Sequence, residues 1–392
     1  MFRTLFVLLL IIHGIIHLLG FASAFHLGAA KPVAMQSIFP LSVQWVQALG
    51  IGWLLVSGLF LYTALQWGLK KEAWWMVATG AVLFSQVLIV IYWPDARFGT
   101  ILNVLILTGI GLGYGSWSFG KMIRQERERF VSESTEPVSK VRKEQLSGLP
   151  ANVSKWLERS GIVGKDYIRT AHLKQRGEMS TQPDGKWMPV NAEQYFRVAQ
   201  PGFLWIADVK AAPFVHLAGR DKYENGRGHM LIKALSLFPV ADARGKEIDQ
   251  GTMLRYLAET VWFPTAALSP YIRWEEVNAT RAKASMQYGG VTASGIFSFS
   301  PEGDVLSFEA QRYYDRKEGA TLETWLITME PSGYREFQGI RIPAKSAVTW
   351  KLKAGDFTWF RLEITDVVYN EEDSVNSGNL ASQSSTETVM SR

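Results

Sequence analysis

The sequence predicts an α+β membrane protein: a four-helix transmembrane bundle, then a large curved antiparallel sheet, an open or half β-barrel with a central helix packed against it. Three observations point there. Residues 1–120 hold only Arg3, Lys31, Lys70, Lys71, Glu72, Asp95 and Arg97 as charged side chains, although the chain has 41 basic and 36 acidic residues. That charge-poor stretch contains four apolar segments, each close to the roughly 20 residues that cross a bilayer as a helix. From Tyr167 onward the texture changes to short strand-like runs separated by turn residues, with one helix between them.

The apolar segments run at about Leu5–Phe25, Val43–Trp67, Ala73–Trp93 and Thr100–Phe119. Trp67, Trp74, Trp75, Trp93 and Trp117 stand towards their ends, as interfacial anchors do. Gly109, Gly111, Gly113 and Gly115 thin the last segment and permit close approach of a neighbour. Arg3, an apolar core and Ala22-Ser23-Ala24 also fit a signal peptide. The length of the run and the spans that follow favour a retained helix. The PDARFG loop, Pro94 to Gly99, reads as a tight turn. Arg3, the Lys70-Lys71 pair and the group Lys121, Arg124, Arg127 and Arg129 fall on one side of a four-span arrangement, whereas the opposite loops offer Lys31 and Arg97. The positive-inside rule then puts both termini and the large soluble part in the cytoplasm.

His13 and His17 are four apart and share a helix face. Ionisable groups at membrane depth are functional candidates, so the pair is a weak candidate for haem. Hydrogen bonding between helices is the favoured reading of the pair. No metal site is expected. The chain has no cysteine, which excludes disulfides, thiolate nucleophiles and cysteine-based metal centres. Its net charge of +5 is thinly spread and forms no stripe for nucleic acid.

Residues 121–148 alternate in charge and read as a helical extension that becomes a tether. An amphipathic helix follows from Ala151 to Ser160, with Val153, Trp156 and Leu157 on one side. The strand runs before the central helix are Ile168–Met179, Trp187–Val198, Phe203–Val209, His216–Glu224 and Gly228–Leu235. After it come Ile272–Val277, Arg281–Tyr288, Gly295–Ser300, Val305–Tyr314, Glu323–Met329, Ser346–Lys353 and Phe357–Val368. Pro183-Asp184-Gly185, Asn225-Gly226 and Pro301-Glu302-Gly303 supply turns between them. In Phe357–Ile364, alternation puts Phe357, Trp359, Arg361 and Glu363 on one face. Residues 371–392 lack aromatics and are expected to be disordered.

The central stretch, Asp249 to Pro264, mixes charge and aromatic surface most densely. As a helix it lines up Leu254, Leu257, Ala258 and Val261 on one stripe. It also sets Arg255 and Glu259 one turn apart, where they can pair. Arg220, Asp221, Arg255 and Glu259 are therefore candidates for the polar rim of a binding site, or for an ion-pair network that fixes the helix. Trp262, Phe263, Trp274, Trp350 and Trp359 are the candidates for its apolar wall. No GxGxxG opening a helix, Walker loop or GxSxG occurs, so nucleotide binding and α/β-hydrolase chemistry lack support.

The series PGFLWIADV (201–209), GRDKYENGRGHM (219–230), DQGTMLRYLAETVWFPTAAL (249–268), IRWEEV (272–277) and GIRIPAKSAVTWKL (339–352) resembles a bacterial family of uncharacterised proteins, DUF6544, formerly DUF6920. The N-terminal HGIIHLLGFASAF and the DARFGTILN loop resemble the four-helix extension of some members. The resemblance implies no reaction. It implies a β-domain similar in outline to the LolA-like open barrels that hold acyl chains.

The expected organisation is a transmembrane domain at 1–120, a charged linker at 121–148, a β-rich domain at 149–370 and a tail at 371–392. The expected function is binding of a membrane lipid or other apolar molecule, as carrier or sensor, at the bacterial inner membrane and without a cofactor. The alternatives are a membrane-associated enzyme using the Arg/Glu/Asp cluster and a scaffold for protein partners. The oligomeric state is left open.

Overall fold

A computed structural model describes residues 2–27, 35–132 and 139–370. Lys31, part of the linker and the tail at 371–392 lie outside the described residues. The chain divides into two compact units, Met1–Lys121 and Met122–Arg392.

The first unit is helical: α1 (Phe2–Ala24), α2 (Val43–Gly68), α3 (Trp74–Ile91), the single turn α4 (Trp93–Ala96) and α5 (Gly99–Ser132), which continues into the second unit. Four of these helices are long and apolar enough to cross a membrane. The loop expected to be a tight turn contains α4, with Pro94 in its first turn, where a missing N–H leaves no hydrogen bond unmade. Leu10, Val56, Phe60, Ala78, Leu88 and Ile106 are fully buried between the helices. Gly109 and Gly113, one turn apart on α5, face Phe6 and Trp74. A Cβ at Gly109 would come within 2.5 Å of the Phe6 ring, and one at Gly113 would overlap Trp74.

His13 and His17 are buried in this unit. His13 Nε2 hydrogen-bonds Asn103 Oδ1 at 2.9 Å. His17 Nδ1 lies 2.7 Å from the His13 carbonyl, and its Nε2 lies 2.9 Å from Ser85 Oγ. Both ring nitrogens of His17 are thus engaged by the helices, which leaves neither for an axial bond in this arrangement.

The second unit opens with α6 (Ala151–Arg159), whose Val153, Trp156 and Leu157 are buried as their spacing predicts. Six strands follow: β1 (Thr170–Met179), β2 (Met188–Arg197), β3 (Gly202–Ala212), β4 (Val215–Glu224), β5 (Arg227–Ala234) and β6 (Phe238–Ala243). Helix α7 (Lys246–Glu259) and two 3-10 turns, Thr260–Trp262 and Pro264–Leu268, come next. The remaining strands are β7 (Ile272–Asn278), β8 (Arg281–Tyr288), β9 (Val291–Phe299), β10 (Val305–Tyr314), β11 (Thr321–Met329), β12 (Tyr334–Phe337), β13 (Ile340–Pro343), β14 (Lys345–Leu352) and β15 (Gly355–Tyr369).

Thirteen of these strands form one curled antiparallel half-barrel, ordered β6-β5-β4-β3-β2-β1-β15-β14-β11-β10-β9-β8-β7. The first and last long strands, β1 and β15, pair at its centre, so β6 and β7 become the two edges. Helix α7 is the connection between those edges, and it packs on the inner face against β4, β5, β8, β9 and β10. The sheet curls far enough for the β4–β5 and β8–β9 turns to touch. A Cβ on Gly226 would lie 2.8 Å from the Gly289 carbonyl, and both glycines have positive φ.

Two features depart from the expected strands. Edge strand β6 contains Pro239, which cannot donate to a ladder and is tolerated at an edge. The hairpin β12–β13 closes through Gln338-Gly339, both at positive φ as a type I′ turn requires. Two register shifts in β15, one opposite Val348/Thr349 and one opposite Lys174/Gln175, also break simple alternation. Phe357, Phe360, Leu362, Ile364, Val367 and Tyr369 all reach the core as a result. Arg361 and Glu363 face away from it, paired with Glu178 and Arg176.

Candidate functional site

Helix α7 presents Leu254, Leu257 and Ala258 to the core, and the 3-10 turn after it adds Val261, all essentially without exposure. Arg255 and Glu259, on another face of the same helix, are thereby pressed onto the inner faces of β2, β3 and β4. Arg255 Nε donates to Glu259 Oε1 and its Nη1 to Asp221 Oδ2, both at 2.8 Å. The guanidinium also lies 4.8 Å from the Phe203 ring and 5.0 Å from that of Trp205. Gln194 Nε2 donates to the second Glu259 oxygen at 2.7 Å. Gln175 Nε2 donates to Gln194 Oε1 at 2.8 Å, and Trp205 Nε1 donates to Gln175 Oε1 at 3.1 Å. The result is a continuous polar chain across four strands and a helix. Asp221 Oδ1 is a buried oxygen of the chain without a partner among the described residues.

Burial pushes the Glu259 carboxyl above the usual glutamate range, outweighing Arg255 and Gln194, which favour the charged form. Burial also opposes charge on Arg255, but Glu259 and Asp221 outweigh it and hold the guanidinium protonated.

Residues 139–362 match the model of a family of unknown function, DUF6544, which covers more than half of the chain. The chain belongs to DUF6544. No curated protein matches it. Similar solved structures include a domain from Vibrio parahaemolyticus described as an outer membrane lipoprotein-sorting protein, at 10% identity and TM-score 0.31, covering 54% of this chain and 90% of the other. A DUF1329 family protein from Desulfovibrio piger is similar at 9% identity and TM-score 0.28, covering 57% and 94%. Likeness at this level assigns no role to any residue here.

Within the DUF6544 domain, the structure brings together Asp221, Arg255 and Glu259 and separates the other candidates. Arg220 follows the strand rule that neighbours point to opposite faces. Its side chain lies on the outer face, 3.1 Å from Glu126 and donating to the His229 carbonyl at 2.8 Å. Trp262 and Phe263 are core residues. Trp262 Nε1 donates to the Pro343 carbonyl at 3.0 Å, and the Phe263 ring lies 4.4 Å from that of Phe196. Trp274 packs elsewhere, against Phe297 and the α6 residue Trp156. Trp350 is buried in the inner face, edge-on to Tyr314 at 5.0 Å. Trp359 sits at a bulge of β15, half-buried and stacked on Phe360 at 5.4 Å.

The inner face is therefore packed where α7 covers it. It is less covered where β1, β10 and β14 end. There Met179, Leu217, Tyr314, Leu352 and Trp359, together with Trp205, are only partly buried. A cleft of about 710 Å³ opens on the opposite, outer face, beside the charged side chains Arg176, Glu178, Arg361 and Glu363. These four pair with one another, Arg176 with Glu363 and Arg361 with Glu178. Among the described residues no group of three or more His, Asp or Glu could hold a metal ion.

Gln175, Gln194, Trp205 and Arg312 belong to this neighbourhood but were not among the sequence candidates. The signal for Gln194 is its place in β2: it alternates with buried Val190, Ala192 and Phe196, so a polar amide occupies an apolar stripe. Arg312 breaks the Phe308, Ala310 stripe of β10 in the same way.

Proposed function

We propose that the DUF6544 domain binds a lipid or another apolar ligand on the inner face of its sheet, as carrier or sensor, and that the four apolar helices hold it at the bacterial inner membrane. The supporting observation is the group of half-buried side chains Trp205, Tyr314, Trp359, Leu217 and Leu352 on a curled face beside a buried ion-pair cluster. Apolar surface on a concave face with a few convergent polar groups is the usual chemistry of a small-molecule site. Of the residues first proposed as ligand-binding, Asp221, Arg255, Glu259, Trp350 and Trp359 belong to this reading. Trp262, Phe263 and Trp274 support the fold behind it.

The proposal also takes residues 1–120 as the transmembrane part, 121–148 as the connecting segment and 149–370 as the sheet domain, with both termini in the cytoplasm. The test is native mass spectrometry with lipid extraction on the full-length protein in detergent. Apolar helices retain lipid of their own, so the reading is the difference between wild type and variants. A stoichiometric lipid lost in W205A and W359A, while both variants still unfold cooperatively, is the expected result. Equal lipid content in folded wild type and variants overturns the proposal.

A further inference from the structure

We propose that Arg312 recognises the anionic group of this ligand, so that the DUF6544 domain takes an amphiphile bearing a carboxylate or a phosphate. The inference rests on the ligand-binding reading above and names the ligand's chemical class.

Arg312 shares the inner face of β10 with Phe308 and Ala310, yet it is only half-buried. Its guanidinium lies 4.6 Å from the Trp325 ring and 5.9 Å from that of Trp350. It is also set against α7 at Gly251, where a Cβ would come within 3.0 Å of Nε. Two indoles and a glycine thus hold the plane of the guanidinium from several sides. Among the described residues, however, Arg312 forms no hydrogen bond and no ion pair. Its donors are left without acceptors in a place that water reaches only in part, which is costly for a cation.

Asp221, Arg255 and Glu259 form their ion pairs with one another, not with Arg312. Burial lowers the Arg312 pKa to about 10, with the more distant Asp221 and Glu259 offsetting part of that effect. The group therefore stays charged at neutral pH. A planar fork of donors fixed between aromatic rings suits a carboxylate or phosphate, which accepts two parallel hydrogen bonds. Tyr314 and Trp350 lie next to it, and the half-buried Leu352 and Trp359 extend apolar surface from there for the tail of the same molecule. A purely structural role is the competing account, in which Arg312 balances the two carboxylates from a distance. The two accounts differ in what a ligand's head group should do.

Full-length protein in detergent is titrated with oleic acid against oleyl alcohol, and with dioleoyl phosphatidic acid against dioleoylglycerol, each read by native mass spectrometry. Wild type is expected to prefer at least one acid over its neutral partner by about ten- to a hundredfold. The pair that shows the preference identifies carboxylate or phosphate as the source. R312Q should bring that ratio close to one, and R312K should restore part of it. If R312Q does not fold, G251A provides the second readout, because it displaces the guanidinium without removing its charge. Equal binding of acid and neutral partner by wild type overturns the role of Arg312 and leaves the apolar-ligand reading standing. Absence of binding by every amphiphile overturns both.

Discussion

Glu259 is caught between two opposing effects. Arg255 and Gln194 stabilise its charged form, and burial disfavours it more strongly. A carboxyl whose pKa is raised on folding binds its proton more readily in the folded chain. Its contribution to stability is therefore present below the ordinary value of 4.5 and is lost as pH rises through the folded value. E259Q removes that titration and keeps the shape. We expect the denaturant midpoint of E259Q to gain on wild type as pH rises from about 4 to 7. A variant that loses ground over the same range would mean that the Arg255 pairing outweighs burial. The pair itself was legible in the sequence, because residues four apart on a helix are neighbours. The partner on β4 was not fully legible: Arg220 and Asp221 looked equivalent, and the strand sends one to each face.

Among the elements, α7 and α5 show how far local pattern reaches. The apolar stripe of α7 predicted its buried face, and the sheet it packs on was predicted as curved and antiparallel. What the pattern missed is where α7 stops being one helix. Trp262 and Phe263 leave through a 3-10 turn into the core instead of lining an open wall. In α5, glycines on alternate positions predicted a close helix approach, and the structure identifies the neighbours as Phe6 and Trp74. G113A places a methyl group against the Trp74 indole, an overpacking that should cost about 1–3 kcal/mol. Thermal unfolding of the detergent-solubilised protein measures this. Trimming the ring in W74L/G113A should recover much of the loss, and failure to recover would place the fault in the helix itself.

At the scale of the whole molecule, the proposed orientation rests on the basic residues. A four-span arrangement of the apolar helices would put Arg3, Lys70-Lys71 and the cluster from Lys121 to Arg129 on one side, and charge near span ends decides topology. A green fluorescent protein fused after Asn370 should therefore fluoresce, and an alkaline phosphatase fused there should stay inactive. Active phosphatase would move the DUF6544 domain to the other side of the membrane. That would also change the ligand pool it meets.

The sequence by itself determined the order and kind of most elements: four apolar helices, runs of antiparallel strands and one helix between them, but not edge strand β6 or the β12–β13 hairpin. Helical and strand periods, turn residues and charge density are local properties, so they are written in neighbouring residues. It also determined the Arg255–Glu259 pair. The tertiary structure decided which of those residues meet. Curling of the sheet brings Gln175, Gln194, Asp221 and Arg255 from four separate segments into one polar chain. The bulges of β15 decide which of its side chains face inward, and a single-residue shift reverses that assignment. The same curling leaves Arg312 between two tryptophans and beside Gly251, with no acid at pairing distance among the described residues. These are contacts between residues far apart in the chain, fixed by packing, and periodicity alone does not specify them.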